Sequence, residues 1–207
     1  IHLINCGFDC KQTPFINCTS ENGGGGALYI KNTIDVKNEI QLENIDFIEN
    51  SAIYGGAIYI YTLSTSNPIT IESCKFSSNK VTSQANSDPK LSGGSAIFLM
   101  SLSSCKVHSC KFLKNRGRGG SFKIYNEFDS SSSLLLQNVE INKNEHMISG
   151  CTFEIDTESN NAIYYIGHTN GIRSINIKKC SFSGILGKQS HYIDGKLIVK
   201  NAPKLHI

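Results

Sequence analysis

The sequence predicts an all-β chain, a right-handed parallel β-helix (solenoid) of about six three-sided coils, on three observations. One pattern recurs throughout, clearest between Ile40 and Tyr61: Φ-x-Φ-x-x-(Cys/Φ)-x-Phe-x-x-Asn, a spacer, then Gly-Gly-Ala-Φ-x-Φ, where Φ is apolar. Within each segment apolar and polar residues alternate, as in Ile69-Thr70-Ile71 and Cys74-Lys75-Phe76, which is the period of a strand. The segments are also too short to bury their apolar sides alone. Stacking equivalent strands at about 4.8 Å buries them.

The copies follow in order. Coil one takes Ile1, Leu3, Cys6 and Phe8, then Ala27, Leu28 and Ile30; coil two takes Ile40, Leu42, Ile45, Phe47 and Asn50, then Gly55 to Ile60. Coil three runs from Ile69 through Phe76 and Asn79 to Ile97 and Leu99, and coil four from Cys105 through Phe112 and Asn115 to Phe122 and Ile124. Coil five takes Leu134, Leu136, Val139, Ile141 and Asn144, then Ile163; coil six takes Ile175, Ile177, Cys180 and Phe182, then Leu197 and Val199. Coils thus start near 1, 40, 69, 105, 134, 175 and 205, and residues 1–207 read as a single segment, an interior fragment of a longer repeat protein.

The phenylalanines and the residues after Gly-Gly-Ala are expected inside. The Gly-Gly pairs sit at corners that exclude a side chain, and Asn50, Asn79, Asn115 and Asn144 form an amide ladder at a turn. The spacers from Phe to the next strand run 20, 11, 21, 10, 22 and 15 residues, so long insertions (Asp9 to Gly26, Lys80 to Ser95, Glu145 to Asn161) are expected at one corner in alternate coils.

Composition excludes several roles. A formal net charge of +3 without a Lys/Arg run argues against a nucleic-acid partner, and no apolar run is long enough to span a membrane. No CxxC and no His spacing suits a metal, so neither a metal site nor a cofactor is expected. Outward charges in the order Asp46, Lys75, Lys111, Glu140 read as ion pairs between rungs, and Glu154, Asp156 and Glu158 as a solvated loop; no catalytic constellation assembles. Eight cysteines fit an oxidising compartment. Cys6, Cys74, Cys110 and Cys180 are expected inward, two before Phe, while Cys10 and Cys18, flanking a small loop, are the candidate disulfide. Asn17-Cys18-Thr19 makes Asn17 a candidate glycosylation site. The candidate contact surface for a partner or glycan is an outward aromatic file, Tyr29, Tyr59, Phe98 and Tyr164, with Lys123 and Ile198 between or after them. Small neighbours are expected to leave it flat and accessible, the alternative being that a long insertion folds over the strip and buries it.

Phe47-Ile-Glu-Asn50 with Gly55-Gly-Ala-Ile58 resembles the repeat of the polymorphic outer membrane protein (Pmp) family of chlamydial surface adhesins, similar to repeats in large protist surface proteins. The resemblance implies an extracellular or cell-surface structural or adhesive protein without catalysis, whose partners are copies of itself, other surface proteins or glycans. The alternative expectation is a carbohydrate-binding or carbohydrate-cleaving β-helix.

Overall fold

The structure, a computed structural model, describes residues 1–34, 38–63, 68–82, 93–101, 105–117 and 121–125. Beyond these it describes the backbone of strands 145–149, 152–155, 163–166, 174–178, 181–183, 191–194 and 196–200. Among the described residues there are strands and no helix.

Four parallel sheets hold them. Sheet B stacks β2 (Phe8–Lys11), β6 (Ile40–Glu43), β10 (Ile69–Glu72), β14 (Cys105–His108), β17 (Glu145–Ser149), β20 (Ser174–Lys178) and β23 (Lys196–Lys200). Sheet C stacks β3 (Phe15–Ile16), β7 (Asp46–Ile48), β11 (Lys75–Ser77), β15 (Lys111–Asn115), β18 (Thr152–Ile155) and β21 (Ser181–Ser183). A short sheet D holds β4 (Thr19–Gly24), β8 (Ser51–Tyr54) and β12 (Lys80–Val81). Sheet A stacks β1 (His2–Ile4), β5 (Leu28–Asn32), β9 (Ile58–Thr62), β13 (Ile97–Ser101), β16 (Phe122–Tyr125), β19 (Ile163–Ile166) and β22 (His191–Asp194). The chain visits B, C and A in turn, with D between C and A in the first three circuits, and then returns to B. Stacked parallel sheets visited in this cycle are compatible with a parallel β-helix. The fourth sheet is an addition to the three segments read from the sequence.

The core follows from the alternation. Ile40, Leu42, Phe47, Ile58 and Ile60 and their counterparts Ile69, Ile71, Phe76, Ile97 and Leu99 are buried in one continuous apolar cluster. Phe15, Phe47, Phe76 and Phe112 stack face to face, with centroids 5.2, 4.9 and 4.9 Å apart and interplanar angles of 5°, 1° and 8°. Beside them runs the amide ladder. Asn50 Nδ2 donates to Asn79 Oδ1 at 3.0 Å, and Asn79 Nδ2 to Asn115 Oδ1 at 2.9 Å. Each side chain also donates to the Phe carbonyl one circuit back and accepts a backbone N–H, so these buried amides are paired on both sides. Asn144 lies outside the described residues.

The corners are sharper than the sequence suggested. Gln12, Asn44, Ser73 and Ser109 in one file, and Asn17, Glu49, Ser78 and Lys114 in another, adopt left-handed backbone with φ of 52–56°. In six of these eight, the N–H donates to a carbonyl of the next circuit, as Asn44 does to Glu72 and Glu49 to Ser77, so inter-circuit pairing offsets a conformational cost of roughly 1–2 kcal/mol each. At the third corner Gly55 has φ 58°, and a Cβ there would overlap the Ile58 carbonyl.

Three register expectations are corrected. Leu3 pairs with Ile30, Phe8 with Ile40, Cys10 with Leu42 and Phe15 with Phe47; the first segment therefore belongs to sheet A, and Asp9 to Gly26 is not an insertion. Leu3 to Phe8 and Cys10 to Phe15 share one spacing, and the second choice pairs far more backbone. His146, Ile148 and Phe153, not Leu134, Leu136 and Ile141, align with Cys105, Val107 and Phe112, so Glu145 to Asn161 is in large part strand. His191 and Ile193 take the sheet A places, while Leu197 and Val199 pair with Ile175 and Ile177 in sheet B. With these registers the alternation of long spacers disappears. Phe76 to Ile97 remains long, and the other Phe-to-sheet-A spacings run from 9 to 13 residues. Cys6 is not inward beside Phe. It closes the corner after β1, exchanging backbone hydrogen bonds with the Asn32 side chain.

Candidate functional site

In-register pairing places the outward aromatic file on sheet A as His2, Tyr29, Tyr59, Phe98, Lys123, Tyr164 and Tyr192. Tyr29, Tyr59, Phe98 and Tyr164 fall where the repeat puts them. Tyr192, not Ile198, follows Tyr164, because Ile198 belongs to sheet B.

The described part of the strip is not flat and open. Phe98 is 1% exposed and Tyr59 9%, while Tyr29 is half-buried. Two neighbours that the sequence reading passed over help to close it. Tyr54, at the end of β8, lays its ring against Tyr59 (centroids 4.9 Å, 57°) and edge-on to Phe98 (6.3 Å, 90°). It has room because a Cβ on Gly24 would overlap its ring. A second outward file two residues further on, Lys31, Tyr61, Met100 and Tyr125, supplies Met100 and Tyr125 to the same cluster. The strand period gave a signal for that second file; for Tyr54 the sequence held none.

The rings differ in pose. Tyr29 stacks on Tyr59 at 5.1 Å and 18°, whereas Tyr59 meets Phe98 edge-on at 5.5 Å and 88°. Lys123 Nζ stands 4.8 Å over the Phe98 ring, and Lys31 Nζ stands 5.8 Å over Tyr61. Burial pushes the Tyr59 hydroxyl well above the ordinary phenol range, with Tyr29 and Tyr54 adding to it, and raises Tyr29 and Tyr61 in the same sense. All three are neutral phenols at physiological pH. Lys123 is fully buried, so what reaches solvent is half-exposed Tyr29, Tyr54 and Tyr61 with the exposed Lys31 over Tyr61, a surface suited to stacking on apolar faces of a sugar or peptide.

Asn17 is exposed, at the tight left-handed corner between β3 and β4 and not on a long loop; its N–H donates to the Ile48 carbonyl. Cys10 and Cys18 are free thiols inside the repeat, not the ends of a small loop. Cys10 opposes Leu42 in sheet B, while Cys18 takes the place of an Asn, its N–H donating to Asn50 Oδ1. Each sits on a different side of the circuit and packs on the core.

On sheet B the outward file is Lys11, Glu43, Glu72 and His108, which the sequence reading also missed, Lys11 because the first circuit was out of register. Lys11 Nζ binds Glu43 Oε2 at 2.9 Å, and that hydrogen bond leads the upward shift of the lysine. Among the described residues the ion pairing expected along Asp46, Lys75 and Lys111 does not form, while one pair occurs here; Glu140 lies outside the described residues. Of the acidic loop, Glu154 is in β18 opposite Leu113, and Asp156 and Glu158 lie outside the described residues.

Comparison with known proteins finds no matching family model, curated protein or solved structure.

Proposed function

We propose that this chain is a segment of a right-handed, mainly three-sided parallel β-helix from an extracellular or cell-surface repeat protein, structural or adhesive and without catalysis, as its Pmp-type repeat implies. The observation that carries the reading is repetition. From the first circuit onward Phe15, Phe47, Phe76 and Phe112, and beside them Asn50, Asn79 and Asn115, stack on their own kind inside the fold. Such identical layers suit a quasi-one-dimensional structural rod, each layer built against its neighbours. The Tyr29, Tyr54 and Tyr61 rim would supply lateral contacts to other surface proteins or glycans, and an oligosaccharide on Asn17 would project from a corner of that first circuit.

Electron microscopy of native material tests this. Rods or filaments with a rise that is a multiple of about 4.8 Å are expected; discrete particles that never associate would sink it. Support for the second reading, a carbohydrate-cleaving β-helix, is Glu43 and Glu72 on adjacent rungs of one outward face. Under that reading Glu43→Gln or Glu72→Gln abolishes cleavage in a polysaccharide screen. Under the favoured one, no polysaccharide is cleaved.

A further inference from the structure

We infer that Cys74 and Cys110 are the site of an inter-circuit disulfide that clamps the third circuit to the fourth. They hold one position in consecutive circuits, immediately before Lys75 and Lys111, which pair in register, and Lys111 N–H donates to the Cys74 carbonyl at 2.9 Å. That pairing fixes the backbones at the strand spacing of about 4.8 Å, inside the Cα range a disulfide spans. Both are free thiols in this structure, buried in the same core and within hydrogen-bonding reach of each other. Each also lies over a carbonyl two residues back, Cys74 Sγ 3.2 Å from Glu72 O and Cys110 Sγ 3.3 Å from His108 O, and over one on the preceding circuit, Leu42 O at 3.6 Å and Ile71 O at 3.5 Å. Rotation about χ1 turns one sulfur towards the other without moving a strand.

The other cysteines lack this arrangement. Cys105 opposes Ile69 on one side and His146 on the other, and burial pushes its thiol up to about 12, so it holds its proton. Cys74 is shifted the opposite way, chiefly by the hydrogen bond from Cys110. The oxidant is a small disulfide such as oxidised glutathione. While the chain is folding and the core is still open, Cys74 sulfur attacks one of its sulfurs and expels a thiol; Cys110 sulfur attacks the resulting mixed disulfide at Cys74 and expels the second. The two protons lost by the cysteines leave on the two released thiols. The surface placement proposed above supplies such an oxidant in the cell, but the pairing itself is tested without it.

Trypsin separates the partners, since Cys74 is the lone cysteine of peptide 38–75 and Cys110 of peptide 107–111. The 207-residue chain is incubated folded, and in parallel refolded, with oxidised glutathione, then unfolded and alkylated, digested unreduced and mass-analysed. Peptide 38–75 linked to 107–111 is expected, with Cys105 alkylated. Oxidation is also expected to raise the melting temperature by roughly 10 °C, an increase lost in Cys110→Ser. Alkylated Cys74 and Cys110 in both preparations would overturn the proposal. So would a link from Cys110 to Cys151, which stands two residues before Phe153 by sequence. An oxidised chain whose melting temperature ignores Cys110→Ser would overturn the clamp. None of these outcomes depends on whether the protein forms rods.

Discussion

The phenylalanines inside sheet C and the aromatic file outside sheet A ride on strands of the same spacing, yet their rings meet in different ways. Inside, Phe15, Phe47, Phe76 and Phe112 lie within 8° of parallel; outside, Tyr29 and Tyr59 are near-parallel, Tyr59 and Phe98 nearly perpendicular, and the next rung is Lys123. In-register pairing dictates that each side chain sits over its equivalent. Only where the residue type repeats does that placement become a ladder. Inside, identity is repeated because each layer fills the same volume. Outside, each rung answers to local neighbours such as Tyr54, so the outer face belongs to this chain in particular and is where recognition would be written.

The inner ladder should break hardest. Phe76→Ala removes a ring stacked on both sides in a fully buried file and should cost about 4 kcal/mol, read from the denaturation midpoint. A loss under about 1 kcal/mol would mean that the file does not carry the core. Asn79→Ala comes next. It strips partners from Asn50 N–H, Asn50 Nδ2, Asn115 Oδ1 and the Phe47 carbonyl, and should cost about 3 kcal/mol. Hydrogen exchange checks the mechanism, since protection should fall first at the Asn50 and Lys80 amides flanking the ladder.

Much of this architecture was legible in the sequence because stacking makes one requirement recur. Phe47, Phe76, Phe112 and Asn50, Asn79, Asn115 repeat since a ladder rewards identity, and Gly55 and Gly94 since a carbonyl excludes a side chain. Register failed where the pattern was locally degenerate. Leu3 to Phe8 imitates Cys10 to Phe15, and only inter-strand pairing distinguishes them. Five of the eight left-handed corners carry Asn or Ser but three carry Gln12, Glu49 and Lys114, so residue type announces them only in part. For the outer site the period placed Tyr29, Tyr59 and Phe98 correctly, but burial depends on Tyr54, which comes from another sheet and follows no period.

The outer file is best tested through its hydroxyls. Tyr59 and Tyr29 ionise above the usual phenol value in the fold and near 10 in the unfolded chain. Below pH 10 both states keep these protons, so the contribution is fully present. Above it the unfolded chain releases them while the fold cannot, so stability should decline progressively as pH rises past 10. Ultraviolet titration should show Tyr59 resisting ionisation until unfolding, and an ordinary titration of every tyrosine would contradict its burial. Tyr29→Ala is the gentlest change. It removes one stacked, half-exposed ring, for about 1 kcal/mol or less, and opens Tyr59 to water. Tyr59 should then ionise at lower pH than in the parent while the Phe ladder keeps its protection, because the two faces of the fold are separated by sheet A and the core it covers. If Tyr29→Ala instead weakened the Phe76 region, inner and outer files would be one cooperative unit, and the outer face would be core and not a surface free to recognise anything.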